Sequence, residues 1–525
     1  MSTSDRKLPI GIQDFEGLIR DGYVYVDKTG FIFDLISKGK VYFLSRPRRF
    51  GKSLLLSTMK AYFEGKRDLF NGLAIEKLLE DDAEAWSEYP VFYFDFNSTN
   101  YRRNGALEEV LSRHLEKWEA LYGEEKQHKS IDERFEYMIE EAHVRTGKRV
   151  VVLVDEYDKP LLETEGQEEL QEHNRAVFKG FFSNLKSQDA HLKFVFITGV
   201  TRFTKVSIFS DLNHLKDIST YREYSGVCGI TQKELDENFQ REIRHFAETT
   251  GESALQVSEQ LKKHYDGYHF ADISEDIYNP FSLLGALDEG KYESYWFSTG
   301  TPTFLIDKIK KAKIDIRRFS DNDIDASADE LRDYRDDNPN PVPLLYQTGY
   351  LTIKGYDRQF KSYELGYPNE EVRYGFLNSL APAYISDHSD TKALDIRRFG
   401  QDILKGNTDG LKERFTALFA SLPYPNDDKA VEYNFQIAIY LIFTLLGQFV
   451  HTEVHSSRGR ADCVVETDRY VYIFEFKMDK SAKEALQQIE DKGYALPYAA
   501  DDRQIIKIGV SFDSTTSGLA GWDCR

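Results

Sequence analysis

The sequence predicts an α/β protein with two sheet domains, a parallel sheet in the N-terminal half and an α-β-β-β-α-β module at the C-terminal end, joined by a helical middle region. Three observations predict it. Val41-Tyr42-Phe43-Leu44, Val150-Val151-Val152-Leu153-Val154 and Phe194-Val195-Phe196-Ile197 are continuous apolar runs, the pattern of strands covered on both faces. Tyr470-Val471-Tyr472-Ile473-Phe474-Glu475-Phe476-Lys477 is a further such strand, but it carries two charges. At 525 residues the chain is long enough for three or four domains, and the expected boundaries fall at 1–230, 231–370 and 371–525.

In the N-terminal half the strand Val41–Leu44 runs into Ser45-Arg46-Pro47-Arg48-Arg49-Phe50-Gly51-Lys52-Ser53 and then a helical run from Leu54 to Met59. Strand, loop and helix N-terminus is the context of a phosphate-binding loop. Backbone N–H groups and the helix dipole converge on an anion, Lys52 reaches the outer phosphates and Ser53 ligates Mg2+. The first glycine of the general pattern is replaced by Arg46, and Pro47 removes one donor. The strand Val150–Val154 ends in Asp155-Glu156, where Asp155 would support Mg2+ and Glu156 would polarise the attacking water. Pro90–Phe96, Phe194–Thr198 and Glu223–Cys228 are the expected neighbouring strands. Thr198 ends its strand where a sensor residue would meet the γ-phosphate. Arg202, just beyond, reads either as a surface arginine or as positive charge for the transition state.

The middle region opens on the capping box Thr231-Gln232-Lys233-Glu234, with helix expected through Phe246 and again over Ala254–Tyr265. Pro343–Ile353 and Tyr363–Val372 read as a helix end and a β-hairpin, consistent with a winged-helix-like connector. Asp321–Asp337 is rich in acids and reads as a solvated run.

At the C-terminal end Val431–Leu446 is an almost wholly apolar helix. Strands are expected near Phe449–Ser456, Arg460–Glu466 and Tyr470–Lys477. A helix with the capping box Ser481-Ala482-Lys483-Glu484 follows, then a last strand over Ile505–Phe512. Alternation puts Glu475 and Lys477 on one face, and a hairpin brings Asp462 beside them. Two carboxylates and a lysine so placed can hold a divalent metal and activate water for phosphodiester hydrolysis. The ordinary alternative is a solvated strand end. Gln488 borders the buried stripe of the following helix, with Gln487 as its competitor, and Glu432 is either a further metal ligand or a helix N-terminal acid favoured by the macrodipole.

Several strings together resemble the predicted AAA-ATPase-like family of bacteria: Leu8-Pro9-Ile10-Gly11, Tyr25-Val26-Asp27-Lys28-Thr29, Arg46–Ser53, Asp155-Glu156-Tyr157-Asp158-Lys159-Pro160, Phe209-Ser210-Asp211-Leu212-Asn213, Tyr265-Asp266-Gly267-Tyr268 and Tyr278-Asn279-Pro280-Phe281-Ser282. Arg46 departs from the general phosphate loop, but not from this family's version. The C-terminal order of elements, with Asp462 and Glu475-x-Lys477, resembles the PD-(D/E)XK nuclease superfamily core. The resemblance implies a P-loop NTPase domain of the AAA/ASCE kind that binds ATP and Mg2+ through Arg49, Phe50, Gly51, Lys52, Ser53, Asp155, Thr198 and Arg202, with Glu156 catalytic. It implies also a nuclease-like domain with Asp462, Glu475 and Glu432 as Mg2+ or Mn2+ ligands and Lys477 and Gln488 assisting.

Composition narrows the partners. A net charge of −20 argues against non-specific coating of DNA, whose affinity comes from cationic residues that displace counterions, yet a local cleft can still be basic. Nucleic acid, DNA before RNA, is the expected substrate, and self-association stays open. Cys228, Cys463 and Cys524 have no paired or zinc-ligand spacing, no apolar run reaches membrane length, and residues 1–7 lack a signal-peptide core, so a cytoplasmic protein without membrane contact is expected. The function read from these features is an ATPase coupled to a metal-dependent nuclease. The rival is a nucleotide-dependent switch or scaffold whose nuclease-like domain only binds nucleic acid or a protein. A translocase fits less well, since no further helicase motifs follow Glu156.

Overall fold

The computed structural model describes residues 6–97, 99–123, 130–202, 212, 214–297, 303–312, 314–320, 322–332, 339–385, 395–420, 428–447, 451–454, 462–515 and 518–525, with backbone alone at 303–304, 385, 428–433 and 451–454. The chain divides into two compact units, Met1–Thr299 with Arg318–Val372, and Gly300–Arg317 with Arg373–Arg525.

In the first unit β1 (Val41–Ser45), β2 (Val91–Asp95), β3 (Val150–Asp155), β4 (Leu192–Gly199) and β5 (Lys216–Asp217) form one sheet in the order β2-β3-β4-β1-β5. Every neighbouring pair is parallel. β3 is buried along its whole length, which accounts for the absence of polar alternation in its sequence. Because all strands point the same way, the phosphate loop after β1 and the acids after β3 open at one edge of the sheet, with β4 between them.

The strand expected over Glu223–Cys228 is not formed. Arg222–Tyr224 is a 3-10 turn, and β5 takes the sheet edge instead. Tyr224, Val227 and Cys228 are buried, so their apolar pattern signalled burial and not extension. The Tyr224 and Ser225 carbonyls accept from the Arg46 guanidinium and not from a β-ladder.

Beyond the sheet, β6 (Ile230–Thr231) and β7 (Ile277–Tyr278) make a short antiparallel pair. Around it pack helices Gln232–Asn238, Gln240–Thr250, Ala254–Tyr265 and Pro280–Glu289, the first opened by the Thr231/Glu234 capping box. Leu235, Phe239, Ile243, Phe246, Leu261 and Leu283 form their shared core. β8 (Ile324–Ser327), β9 (Thr352–Asp357) and β10 (Ser362–Gly366) form an antiparallel sheet in the order β8-β10-β9, with helix Val342–Thr348 leading into the β9–β10 hairpin. Within the acid-rich stretch Asp323, Asp325, Asp329 and Glu330 are exposed, as a solvated run requires, while Asp321 and residues 333–337 lie outside the described residues. Ile324 and Ala326 point inward from β8 while Asp325 faces out, and Leu331 is buried on the short helix Ala328–Arg332.

In the second unit β11 (His451–Val454), β12 (Cys463–Glu466), β13 (Tyr470–Met478), β14 (Gln504–Asp513) and β15 (Gly518–Cys524) lie side by side in sequence order. Only β13 and β14 are parallel. Helix Asp428–Leu446 precedes β11, and helix Ala482–Asp491, with its Ser481/Glu484 capping box, makes the crossover between β13 and β14. This is the expected α-β-β-β-α-β order, extended by β15, which the sequence reading missed. Leu486 and Ile489 pack on Val464, Val471 and Ile473. Gly509, opposite Glu475 on β14, lets this helix lie directly on the sheet, since a Cβ there would sit 2.2 Å from the Ala482 carbonyl oxygen. Among the described residues no helix is long and apolar enough to cross a membrane.

Candidate active sites

The loop after β1 turns sharply into helix Lys52–Phe63. Arg49 (φ 67°) and Gly51 (φ 92°) both adopt left-handed backbone, which costs nothing at glycine and on the order of 1–3 kcal/mol elsewhere. Lys52 is buried and donates to the Arg46 carbonyl at 3.0 Å and the Pro47 carbonyl at 3.1 Å, with Glu156 3.8 Å away. Arg46 does not face this cleft. Its guanidinium is buried, donates to the Ser45, Ser219 and Tyr224 carbonyls, and lies 4.1 Å over the Phe270 ring. It is a strut between the phosphate loop and the chain after β5. Arg46→Met should therefore lower stability by about 3–5 kcal/mol, because it leaves several buried carbonyls without a donor. Urea unfolding followed by circular dichroism would measure it.

Asp155 ends β3 almost fully buried, and burial raises its pKa above the usual carboxylate range. The Thr198 hydroxyl donates to its Oδ1 at 2.9 Å, and Ser53 and Tyr93 are further partners. Thr198 thus positions Asp155, and its hydroxyl also reaches the Val154 carbonyl at 3.3 Å. Glu156 has φ 54°, a strained conformation that turns its carboxylate into the cleft beside Lys52. Arg202 corrects both expectations. It is neither a surface side chain nor part of this cleft; its guanidinium is largely buried in an ion pair with Asp217, and its backbone N–H donates to Gln347. Phe50 is buried and packs edge-on against Tyr268 and Phe270.

The cleft holds about 650 Å3. Gly51, Lys52, Ser53 and Glu156 line one side, and Val24, Val26, Ile230, Phe281 and Leu284 give it an apolar wall. The sequence reading passed over Asp158. This fully buried acid accepts from the backbone N–H of Val200 and Thr201 and from the Thr201 hydroxyl, so it fixes the chain leaving β4. A third acid so close behind a buried strand was the available signal.

In the second unit Cys463 pairs with Phe474, which places Asp462 abreast of Glu475 one step further along the hairpin. Asp462 Oδ2 accepts from the Phe476 N–H at 2.8 Å. Glu475 is only 1 % exposed. Its Oε1 accepts from Lys477 Nζ at 2.8 Å and from Gln488 Nε2, while Oε2 is buried without a hydrogen-bond partner. Burial raises the pKa of both acids. For Glu475 the neighbouring Asp462 charge adds to the rise and Lys477 opposes it. Gln488 and not Gln487 joins the site, as Gln487 is exposed and bonds Asp491. The Glu432 side chain lies outside the described residues, as do Arg460, Ala461 and most of the Phe209–Asn213 string.

The donor set fits a divalent cation. An orphaned carboxylate oxygen beside a second carboxylate is what a hard cation binds, although among the described residues no group of three or more metal-ligating side chains converges.

A phosphate loop on β1, an acid pair on β3 and an intervening β4 define a P-loop ATPase-like domain. The hairpin acid, Glu-x-Lys strand and crossover helix define a nuclease-superfamily domain. The family model described as Predicted AAA-ATPase matches residues 9–209, and that of the PD-(D/E)XK nuclease superfamily matches 430–522. Over 536 residues the chain is 38 % identical to the uncharacterized protein in vnfD 5'region of Azotobacter chroococcum mcd 1, with 99 % of each chain covered. The chain belongs to this family of AAA-ATPase-like proteins with a C-terminal PD-(D/E)XK domain.

Proposed function

We propose that the protein is an ATPase whose nucleotide state governs a metal-dependent nuclease acting on nucleic acid, DNA before RNA. The observation that carries the nuclease half is Glu475, an acid buried in an apolar sheet with one oxygen left unpartnered beside Asp462. A charge so placed is costly unless a ligand repays it. Asp462 and Glu475 would hold Mg2+ or Mn2+, which when bound supplies Lewis-acid stabilisation of the phosphoryl oxygens and a more acidic water. Lys477 keeps its ammonium group against Glu475 and carries positive charge toward the developing phosphorane, and Gln488 fixes the carboxylate that both share. In the ATPase domain Lys52 and Ser53 take the phosphates and Mg2+, Asp155 supports that ion through Ser53, and Glu156 orients the water. The apolar wall of the cleft suits a purine base.

The test is cleavage of single- and double-stranded DNA and of RNA by the full-length protein with Mg2+ or Mn2+, with and without ATP. The wild type is expected to cut, and Asp462→Asn is expected not to. The second reading, a nucleotide-driven switch with a binding-only nuclease fold, is favoured by the pairing of just two described carboxylates and by the engagement of Lys477 with Glu475. Absence of cutting under every condition, with ATP turnover intact, would select it.

A further inference from the structure

A second cavity, of about 40 Å3, lies next to the nucleotide cleft along the chain and shares no lining residue with it. Ser45, Arg46 and Pro47 line this cavity, and the nucleotide cleft takes over at Arg48. Its other walls include the segments after β4 and β5, helices Ala328–Arg332 and Val342–Thr348, and the β9–β10 hairpin, all within the first unit.

Three arginines line the space, Arg46, Arg202 and Arg332, and no acid among the described residues does. In a chain of net charge −20 that is a local reversal of sign. Arg46 is 1 % exposed, and its guanidinium donates to the main-chain carbonyls of Ser45, Ser219 and Tyr224. Carbonyls satisfy donors but supply no counter-charge, and among the described residues Arg46 has no ion pair. Its Nε is buried without a hydrogen-bond partner. Arg202 has its counter-ion in Asp217, which lies outside the lining. Burial pushes the Arg46 and Arg202 guanidinium groups below their usual range, as expected of charge held out of water. The lining is also fixed in place. Gln347, itself buried, accepts from the Arg202 N–H and donates to the Leu331 carbonyl, each at 2.8 Å, so one side chain ties the segment bearing Arg202 to the helix bearing Arg332.

We propose that this cavity binds one small tetrahedral oxyanion of the phosphate class, with Arg46, Arg202 and Arg332 as its cationic walls. Size sets the class of ligand. About 40 Å3 exceeds the roughly 10–15 Å3 that one water needs and is far below the 650 Å3 of the nucleotide cleft, so there is room for the free anion and none for a nucleoside. Guanidinium groups favour such a ligand because their planar fork makes charge-assisted hydrogen bonds to phosphate oxygens, which are among the strong ones. The site is separate from the phosphate loop and does not depend on ATP binding there.

The experiment is calorimetric titration of inorganic phosphate into the full-length protein, with and without saturating AMP-PNP and Mg2+, which block the phosphate loop against the same anion. The wild type is expected to bind one phosphate with AMP-PNP already in place. Sulfate is expected to compete for it, and chloride at equal ionic strength is not. Arg332 is exposed on its short helix, so its replacement carries little risk to the fold. Arg332→Gln is expected to weaken this phosphate at least about tenfold and to leave AMP-PNP affinity within about threefold. If circular dichroism shows that Arg332→Gln does not fold, Arg202→Lys serves in its place. It keeps a positive charge for Asp217 but loses the planar fork, and phosphate binding weaker by at least about fivefold is expected. Wild-type phosphate affinity in the variant used overturns the site. So does a wild type that takes up no phosphate once AMP-PNP is bound, or one from which chloride displaces phosphate as well as sulfate does. A wild type that binds no AMP-PNP removes the ATP reading, and the dependence of phosphate binding on Arg332 then still decides this site.

Discussion

Glu475→Gln should reduce phosphodiester cleavage on the order of 10^3-fold or more while leaving the protein folded and no less stable. The two halves of this expectation come from one feature. Glu475 is buried, and desolvation followed by repulsion from Asp462 raises its pKa, so the ionised form is a liability to the fold. For a carboxyl group raised in this way the sign is clear. The unfolded chain releases the proton first, so the contribution of this group to stability is fully present below its ordinary pKa and is lost as pH rises through the raised one. Glutamine removes that penalty and can still accept from Lys477 and Gln488 through its oxygen. What it removes irretrievably is negative charge for a cation. Thermal denaturation should then show Mn2+ stabilising the wild type in proportion to its concentration and having little effect on Glu475→Gln. Equal stabilisation of both proteins by Mn2+ would place the ion elsewhere, and undiminished cleavage by Glu475→Gln would end the assignment of this acid.

The parts of these sites that could be read from the sequence are those in which burial and charge conflict locally. Glu475 inside an apolar strand, and Asp155-Glu156 at the end of another, are visible because a strand's period is short and a buried charge needs a reason. Gln488 could be placed near the site from the stripe of its helix, but only the folded partners decided between it and Gln487, since Gln488 donates to Glu475 and the exposed Gln487 to Asp491. What stayed hidden depends on long-range partners. Arg46 looked like a lost glycine, and its purpose is visible only once Ser219, Tyr224 and Phe270 are brought round it. Arg202 was judged by its distance from β4 along the chain, whereas Asp217, on the far side of an undescribed stretch, claims its charge. Glu223–Cys228 was misread for the same reason. Composition reports how much of a segment is buried, but the choice between strand, turn and short helix is made by neighbours remote in sequence.

Glu156→Gln should cut ATP hydrolysis by about 10^2-fold or more and leave ATP binding nearly unchanged. Its carboxylate is set apart from that of Asp155 by geometry. Asp155 points into the sheet, where Thr198, Ser53 and Tyr93 occupy it, so its replacement would disturb the metal-supporting hydroxyl and the packing together. Glu156 takes the left-handed φ of 54° and faces the cleft, with Lys52 3.8 Å away as an ion-pair partner. Glutamine has the same length, keeps a hydrogen-bonding oxygen for a water, and fits the same backbone, but it cannot take a proton. Loss of charge beside Lys52 also removes an attraction that competes with phosphate for that ammonium group, so ATP affinity is expected to hold or to rise slightly. Single-turnover hydrolysis set beside equilibrium binding of ATP would separate the two effects. Retained turnover would assign activation of the water to another group, and a parallel collapse of binding and turnover would make Glu156 a structural partner of Lys52 and not the group that acts on the water.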